Sequence, residues 1–579
     1  MQLHDSGLVG NSRTSAIIDS NGRIVWWCFP VFDSHPLCHI MTSSCCCSKK
    51  NDDAGFIDVL FGKVRSKDQY YIRNTPVLVT RFADNAHNVI ETADFSPCYI
   101  QYGRLFTPPV IVRIIRRIAG RPRIAIRIRP CLPADGPSQK TIGANHVTFK
   151  GGEQDFRVTT DASITALLEE QAFYLEDSIT LVMGMDQALE TAPKTFGQSA
   201  YEATIAYWHG WIHNISIPFE WQDEVIRAAI TLRLNTFYDT GAIVAGHGSL
   251  DGSCQQPSGN IASLSWVRDA CSVTGALNRL GATGTMERYL MYLLNVIADS
   301  NGLPFQAVYD IHHRTVVSKN DSGIWEIPEH HDSYGAAVLA CTQAFFDGRL
   351  YHPADRVVFE QLERLGETAF EKFRQPDLDI WGYGETAIHT YSSMMCWAAC
   401  DRLSRIAAKL DLPTQAKEWA ERAGIIHGRI IENAWNPERQ TFTATWKGDA
   451  VDASLLRMID LHFLPADDER VIKTVDRITE KLLQGDFLLC SEKAVEAHQE
   501  NLPFICTFWW ILAINAIGRK EQARDAFERI LSYQNYLGMF SSCVSREDRS
   551  LSGVFPSTSA MVGVIQCAVA LSKPWDSLY

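Results

Sequence analysis

Four short segments of this chain combine ring-bearing and ionisable residues just ahead of helical text: Ser265-Trp-Val-Arg-Asp-Ala270, Ile324-Trp-Glu-Ile-Pro-Glu-His-His331, Asp379-Ile-Trp-Gly-Tyr-Gly-Glu385 and the stretch from Gln499 to Trp510. Loops that lead into helices are where function concentrates, because the helices themselves are committed to packing. A trough with Trp and Tyr walls and Arg, Asp and Glu at its floor suits a polyhydroxylated ligand. The apolar faces of such a ligand stack on rings, and its hydroxyls take bidentate polar partners. The competing readings are ordinary core packing for each Trp, and a helix-start cap with a surface ion pair for Arg268-Asp269. His312-His313, His330-His331 and His389 do not make a metal site, since adjacent histidines project apart and no carboxylate-His helical spacing joins them. No Gly-rich phosphate cradle stands at a strand-helix junction and no G-x-S-x-G elbow occurs, which leaves nucleotide use and serine-hydrolase chemistry without support. No cofactor is expected.

The elements that must position these residues change character near residue 190. Before it, short apolar runs alternate with turns: Ser15 to Ile24 around Ser20-Asn21-Gly22, Pro76 to Phe82, Val110 to Ile118, Arg123 to Arg129 and Ile179 to Met183. Their period is near two, which predicts strands. In Arg123-Ile-Ala-Ile-Arg-Ile-Arg129, Arg and Ile alternate as on a half-exposed antiparallel sheet. We expect an N-terminal antiparallel β-sandwich over 1–195, then a helical linker over 196–220. From 221 to 579 the period is that of helices, at 222–239, 267–280, 283–299, 332–347, 354–373, 390–411, 413–434, 451–461, 466–483, 503–517, 519–532 and 558–571. About twelve helices joined by loops of alternating length close as six inner and six outer helices around a central pocket. The expected fold class is therefore α+β multidomain, a β-sandwich followed by an all-α six-fold α/α barrel, or toroid. An open helical solenoid is the rival, but no self-similar repeat of about 30 to 45 residues supports it.

Composition bounds the function classes. The 579 residues are 46% hydrophobic and 21% charged, enough to bury a sizeable core. Lys and Arg total 54 against 67 Asp and Glu, a net charge of −13 that repels phosphate backbones, so no nucleic-acid partner is expected. The first residues lack a basic stretch followed by an apolar core, and no run of about 18 apolar residues occurs, so neither secretion nor membrane spanning is expected. The sixteen cysteines show no small-scaffold spacing, and many lie in apolar helical text, as reduced thiols of a cytoplasmic protein do. Cys45-Cys46-Cys47 reads as an exposed loop rather than a zinc site. The expected partner is a small-molecule substrate; the oligomeric state is not legible.

A dispersed, collinear set of segments carries a family resemblance over nearly the whole chain: Leu8-Val-Gly-Asn-Ser-Arg-Thr14, Asn21-Gly-Arg-Ile-Val-Trp26, Phe29-Pro-Val-Phe-Asp-Ser34, Gln101-Tyr-Gly-Arg104, Ile118-Ala-Gly-Arg-Pro-Arg123, Ile217-Pro-Phe-Glu-Trp-Gln-Asp223, Leu277-Asn-Arg-Leu-Gly-Ala282, Met395-Cys-Trp397, Cys506-Thr-Phe-Trp509 and Met561-Val-Gly563. It resembles the glycoside hydrolases of family fifteen, which include glucoamylase-like and bacterial trehalase-like enzymes with a trehalase-like N-terminal domain. The resemblance implies a β-sandwich followed by a six-fold α/α barrel. It also implies inverting hydrolysis, in which one carboxylic acid protonates the departing oxygen and a second carboxylate, about 6.5–9.5 Å away, activates water. The resemblance places Trp266, Arg268, Asp269, Trp381 and Glu500 at the substrate.

Both catalytic positions depart from the family pattern. The general acid follows an Ile-Trp or Leu-Trp pair in the family, whereas Ile380-Trp381 is followed here by Gly382, and Glu385, three residues on, is the candidate displaced acid. The general base position is held by Ser542, after Leu537-Gly-Met-Phe-Ser541 and ahead of Val554-Phe-Pro-Ser557. A hydroxyl with no attached base is a poor proton acceptor near neutral pH. Glu547 and Asp548 are placed on a surface turn. The segment between Asn301 and Tyr334 is shortened, and Asn260-Ile-Ala-Ser-Leu264 is reduced relative to the family. Three readings follow: a repurposed enzyme performing cyclisation, isomerisation or dehydration in the former sugar pocket, possible in specialised metabolism; a residual inverting α-glucosidase using Glu385; and a non-catalytic saccharide-binding protein.

Overall fold

The computed structural model describes residues 5–40, 55–132, 139–152, 154–250, 255–256, 259–299, 305–316, 318–320, 323–325, 329–382 and 386–578. Glu385, Cys45-Cys46-Cys47 and Glu326 to Pro328 lie outside the described residues.

The N-terminal part is two antiparallel sheets. One runs in spatial order Gly7–Gly10, Ser15–Ile18, Ile24–Cys28, Phe56–Phe61, Arg123–Arg129 and Phe173–Tyr174, with Pro36–Cys38 also paired to Ile24–Cys28. The other runs Gln139–Ile142, His146–Lys150, Phe156–Thr160, Ser178–Met185, Val110–Ala119, Val89–Phe95, Leu78–Asp84 and Val64–Tyr71. Alternation decides which faces meet. Ile124, Ile126 and Ile128 point into the core, while Arg127 pairs with Asp58 and Arg129 with Glu170. Trp27, Phe29 and Phe156 close that core edge to face, with centroids 5.5–5.7 Å apart.

Helix α1 (Pro193–His213) leads from the sandwich to the barrel, where the described residues form, besides the short helix Glu492–Glu496, α2 (Gln222–Leu234), α3 (Val267–Arg279), α4 (Thr283–Asp299), α5 (Asp332–Phe346), α6 (Arg356–Lys372), α7 (Thr390–Lys409), α8 (Pro413–Ala434), α9 (Arg457–Asp460, extending a 3-10 turn at Ala453–Leu456), α10 (Glu469–Leu482), α11 (Phe504–Ala516), α12 (Lys520–Leu531) and α13 (Thr558–Leu571). The odd-numbered helices from α3 to α13 pack each against the next, and α13 returns to α3, which closes a ring. The even-numbered helices pack outside it. Sequence chemistry explains this division. The inner helices α5, α7 and α13 are rich in Ala, Ser, Cys and Gly, α11 is built of Phe, Trp, Ile and Leu, and all four are buried on nearly every side, whereas α10 buries a stripe of Val471, Thr474, Val475, Ile478 and Leu482 and exposes charge elsewhere. Small side chains let inner helices approach: a Cβ on Gly335 of α5 would lie 2.2 Å from the Met395 carbonyl oxygen of α7. The sandwich shares this core, with Leu8, Ile17, Val25 and Trp26 of the first sheet buried among barrel residues. Among the described residues no helix is long and apolar enough to cross a membrane.

Candidate functional site

The inner helices send the side chains of their N-terminal turns toward the barrel axis. Helix α3 starts at Trp266, whose strand Ser265–Trp266 pairs with Val308–Tyr309, and its first turn carries Arg268 and Asp269. Helix α11 starts after the strand Asn501–Pro503, and Ser557 caps α13 through the Ala560 amide. The first two to three turns of the inner helices enclose a cavity of about 100 Å³ lined by Arg268 and Asp269 of α3, Tyr391 of α7, Arg457 of α9, Trp509 of α11 and Gln566 of α13, with small and apolar side chains between them. Asp269 is the one carboxylate lining it among the described residues.

The charges are held from behind. Arg268 donates from Nη1 to Asp332 Oδ2 at 3.3 Å, and its Nε lies 3.6 Å from Asp269 Oδ1. Asp332 is wholly buried, while Arg268 keeps 23% and Asp269 36% of its side chain exposed, so the pair presents its cation and the outer carboxylate to the cavity. Burial works against the Arg268 charge, but Asp332 and Asp269 outweigh it and hold the guanidinium protonated. Deeper in the same wall Asp377 Oδ2 accepts from the His331 amide at 3.0 Å and from Ser392 Oγ at 2.7 Å. Burial, with repulsion from Asp332, pushes the Asp377 carboxyl up to about 7 against the pull of those two donors. Burial likewise raises the Asp452 carboxyl, which accepts from Ser454 Oγ and Trp381 Nε1. Arg457 lies over the Trp509 ring at 5.3 Å and pairs with Asp460 at 2.9 Å.

The residues singled out in the sequence divide accordingly. Arg268 and Asp269 line the cavity, and Trp266 immediately precedes their helix without a side-chain capping bond. Trp381 packs against Trp509 at 5.9 Å, its amide held by Asp379 Oδ1 at 2.8 Å. Glu500 is exposed, and its carbonyl accepts the Arg546 amide. The Ser542 hydroxyl is occupied: its Oγ accepts the Val554 amide at 3.0 Å, and a Cβ on Gly553 would lie 2.3 Å from it. Gly382 sits at φ +81° with open space where its Cβ would be. Glu547 and Asp548 are exposed. Sequence reasoning missed Arg457, Tyr391 and the carboxylates Asp332, Asp377 and Asp452. The signal for Arg457 was an Arg inside the apolar run Leu455-Leu-Arg-Met-Ile459. Among the described residues no group of three or more His, Cys, Asp or Glu could hold a metal ion.

This floor can hold vicinal hydroxyls with two guanidiniums and one carboxylate beside a ring. Among the described residues it does not set two carboxylates across a water.

Residues 240–560 match the family described as glycosyl hydrolases family 15. Among relatives, a trehalase of Thermoplasma volcanium is 24% identical over 99% of this chain and 94% of its own length. A trehalase of Thermoplasma acidophilum is also 24% identical, over 96% of this chain and 98% of its own. Among solved structures, a bacterial glucoamylase complexed with acarbose superposes with a TM-score of 0.71 at 13% identity, covering 98% of this chain and 94% of that one. At that identity the likeness is one of fold.

Proposed function

We propose that this chain, which belongs to glycosyl hydrolases family 15, keeps the floor of a sugar pocket at its barrel axis, where the roughly 100 Å³ enclosed takes part of a polyhydroxylated small molecule, and uses it for non-hydrolytic chemistry. One observation carries this reading. The family base position is a hydroxyl already engaged by the Val554 amide, and Asp269 is the single carboxylate lining the cavity among the described residues. Inverting hydrolysis needs a proton donor and a water-activating base on opposite faces of the ring. With the base gone, bound substrate has a proton donor and fixed cations but no activated nucleophile. Isomerisation, cyclisation and dehydration need no activated water: the acid gives its proton to the departing or carbonyl oxygen and, as the resulting carboxylate, takes back the proton that the substrate loses. Arg268, Asp269 and Trp509 would hold the ligand, with Glu385 the candidate acid.

The test is incubation with trehalose, maltose and isomaltose in water enriched in heavy oxygen, read by mass spectrometry. The expected result is no glucose and no label in any product. Labelled glucose, lost in Glu385→Gln, would establish the second reading, a residual inverting α-glucosidase. That reading is favoured by the trehalase relatives, which span nearly the full length of this chain. Saccharide binding without any product by calorimetry would instead identify a binding protein.

A further inference from the structure

A cavity of about 820 Å³ lies away from the barrel axis, where the sandwich, the linker helix and the barrel meet. Its walls come from the hairpin Tyr99–Gln101 and Arg104–Phe106, from α1, from the end of α2 and from the start of α4. Three arginines line it and no Asp or Glu does. Arg233 lies over Trp211 at 4.9 Å and over Tyr207 at 5.3 Å, and donates to the Tyr207 hydroxyl. Arg288 lies over Tyr238 at 4.1 Å and donates to its carbonyl at 3.3 Å. Arg104 is exposed at the hairpin.

Among the described residues, none of these three guanidiniums has a carboxylate partner. That is unusual in a chain with 67 acidic against 54 basic residues, where Arg13, next to the cavity lining, is paired with Asp239. Stacking on rings fixes the orientation of Arg233 and Arg288 and spends none of their outward hydrogen-bonding capacity on a counter-ion. A guanidinium fork matches the paired oxygens of a phosphate. The volume falls within the range of about 300–1,000 Å³ that holds whole metabolites, well beyond one inorganic ion.

We propose that this cavity binds a phosphorylated small molecule, its phosphate held by Arg104, Arg233 and Arg288 and its body lying along the aromatic wall. Bound there, the ligand touches sandwich, linker and barrel together and stabilises their association.

The test is calorimetric titration of the full chain with glucose 6-phosphate, adenosine monophosphate and pyrophosphate, with glucose as the neutral control, at low and at physiological salt. We expect saturable one-site binding of at least one phosphorylated probe, weakened by salt, with glucose not competing. The preferred probe separates a sugar phosphate from a nucleotide. Arg104→Ala/Arg288→Ala, which alters only exposed side chains, should lower that affinity by at least about tenfold while the protein stays folded in the absence of urea. Arg268→Lys, in the axial cavity, should leave it unchanged. The proposal is overturned by no saturable binding of any of the three probes up to about 10 mM, by affinity indifferent to the double substitution, or by loss of binding in Arg268→Lys. Each of these is read without reference to turnover at the axial cavity.

Discussion

Each half of the molecule buries an arginine against an aspartate, and the two pairs are built differently. In the sandwich, Arg113 and Asp94 stand directly opposite on neighbouring strands, both fully buried. Nε and Nη2 of Arg113 reach the two Asp94 oxygens at 2.6 and 3.2 Å, and Nη2 also reaches the Gly22 carbonyl at 2.7 Å. In the barrel, Arg268 makes one hydrogen bond to Asp332 and turns its remaining edge to the cavity. A pair whose bidentate contact is made wholly inside the protein serves the fold, even though Arg113 Nη1 has no hydrogen-bond partner among the described residues. A pair whose fork is left partly open is available to a ligand.

The largest expected effect comes from breaking the closed pair. Arg113→Leu leaves the Asp94 carboxyl without its partner in a dry core, which costs about 3–5 kcal/mol. Urea unfolding should show the midpoint falling steeply, while any folded fraction binds saccharide with unchanged affinity. A shift below about 1 kcal/mol would mean that the pair is not what holds these strands.

Next comes Asp377, beside the open pair. Its folded-state value of about 7 lies above the ordinary 3.8, so between the two the folded protein keeps a proton that the unfolded chain has lost. Stability therefore falls as pH rises through that window and levels off above about 7. Asp377→Asn imitates the neutral form and should remove the fall, leaving the variant more stable than the parent at high pH by at most about 4 kcal/mol. Urea midpoints between about pH 4 and pH 8 test it. Parallel profiles would show that Asp377 is already ionised in the fold.

Open and closed pairs look alike in the sequence, which is where legibility ended. The barrel helices were readable because long segments such as Glu469–Leu482 repeat their apolar residues at helical spacing, and Arg123–Arg129 alternated plainly enough to fix a strand. Arg268 and Asp269 were singled out because they open a helix directly after a Trp, and both line the axial cavity. The partners behind them were not. Asp332 is 64 residues from Arg268, and Asp377 lies 46 residues from the His331 amide that it accepts. Such meetings are set by the ring of inner helices, which no local pattern encodes. Glu500 shows the converse: position along the chain placed it at the pocket, yet it is exposed one residue ahead of the strand Asn501–Pro503.

A smaller effect sharpens the contrast on the open side. Arg268→Lys keeps the charge beside Asp332 but loses the fork, so stability should change by under about 1.5 kcal/mol while saccharide affinity drops at least about tenfold. Calorimetry on the folded variant reads both. Equal affinity would mean that only charge, and not the planar fork, meets the ligand.

The smallest effect extends the criterion from ion pairs to a hydroxyl. Ser542 stands where the family resemblance expects a base, but its Oγ is bonded to the Val554 amide inside the protein, the condition of Arg113 rather than of Arg268. Ser542→Ala should therefore cost about 1 kcal/mol, the net worth of one hydrogen bond, and leave ligand affinity and product formation as they were. A selective loss of affinity or turnover at unchanged stability would place that hydroxyl on the ligand, and internal hydrogen-bond closure would no longer separate the residues that build this protein from those that use it.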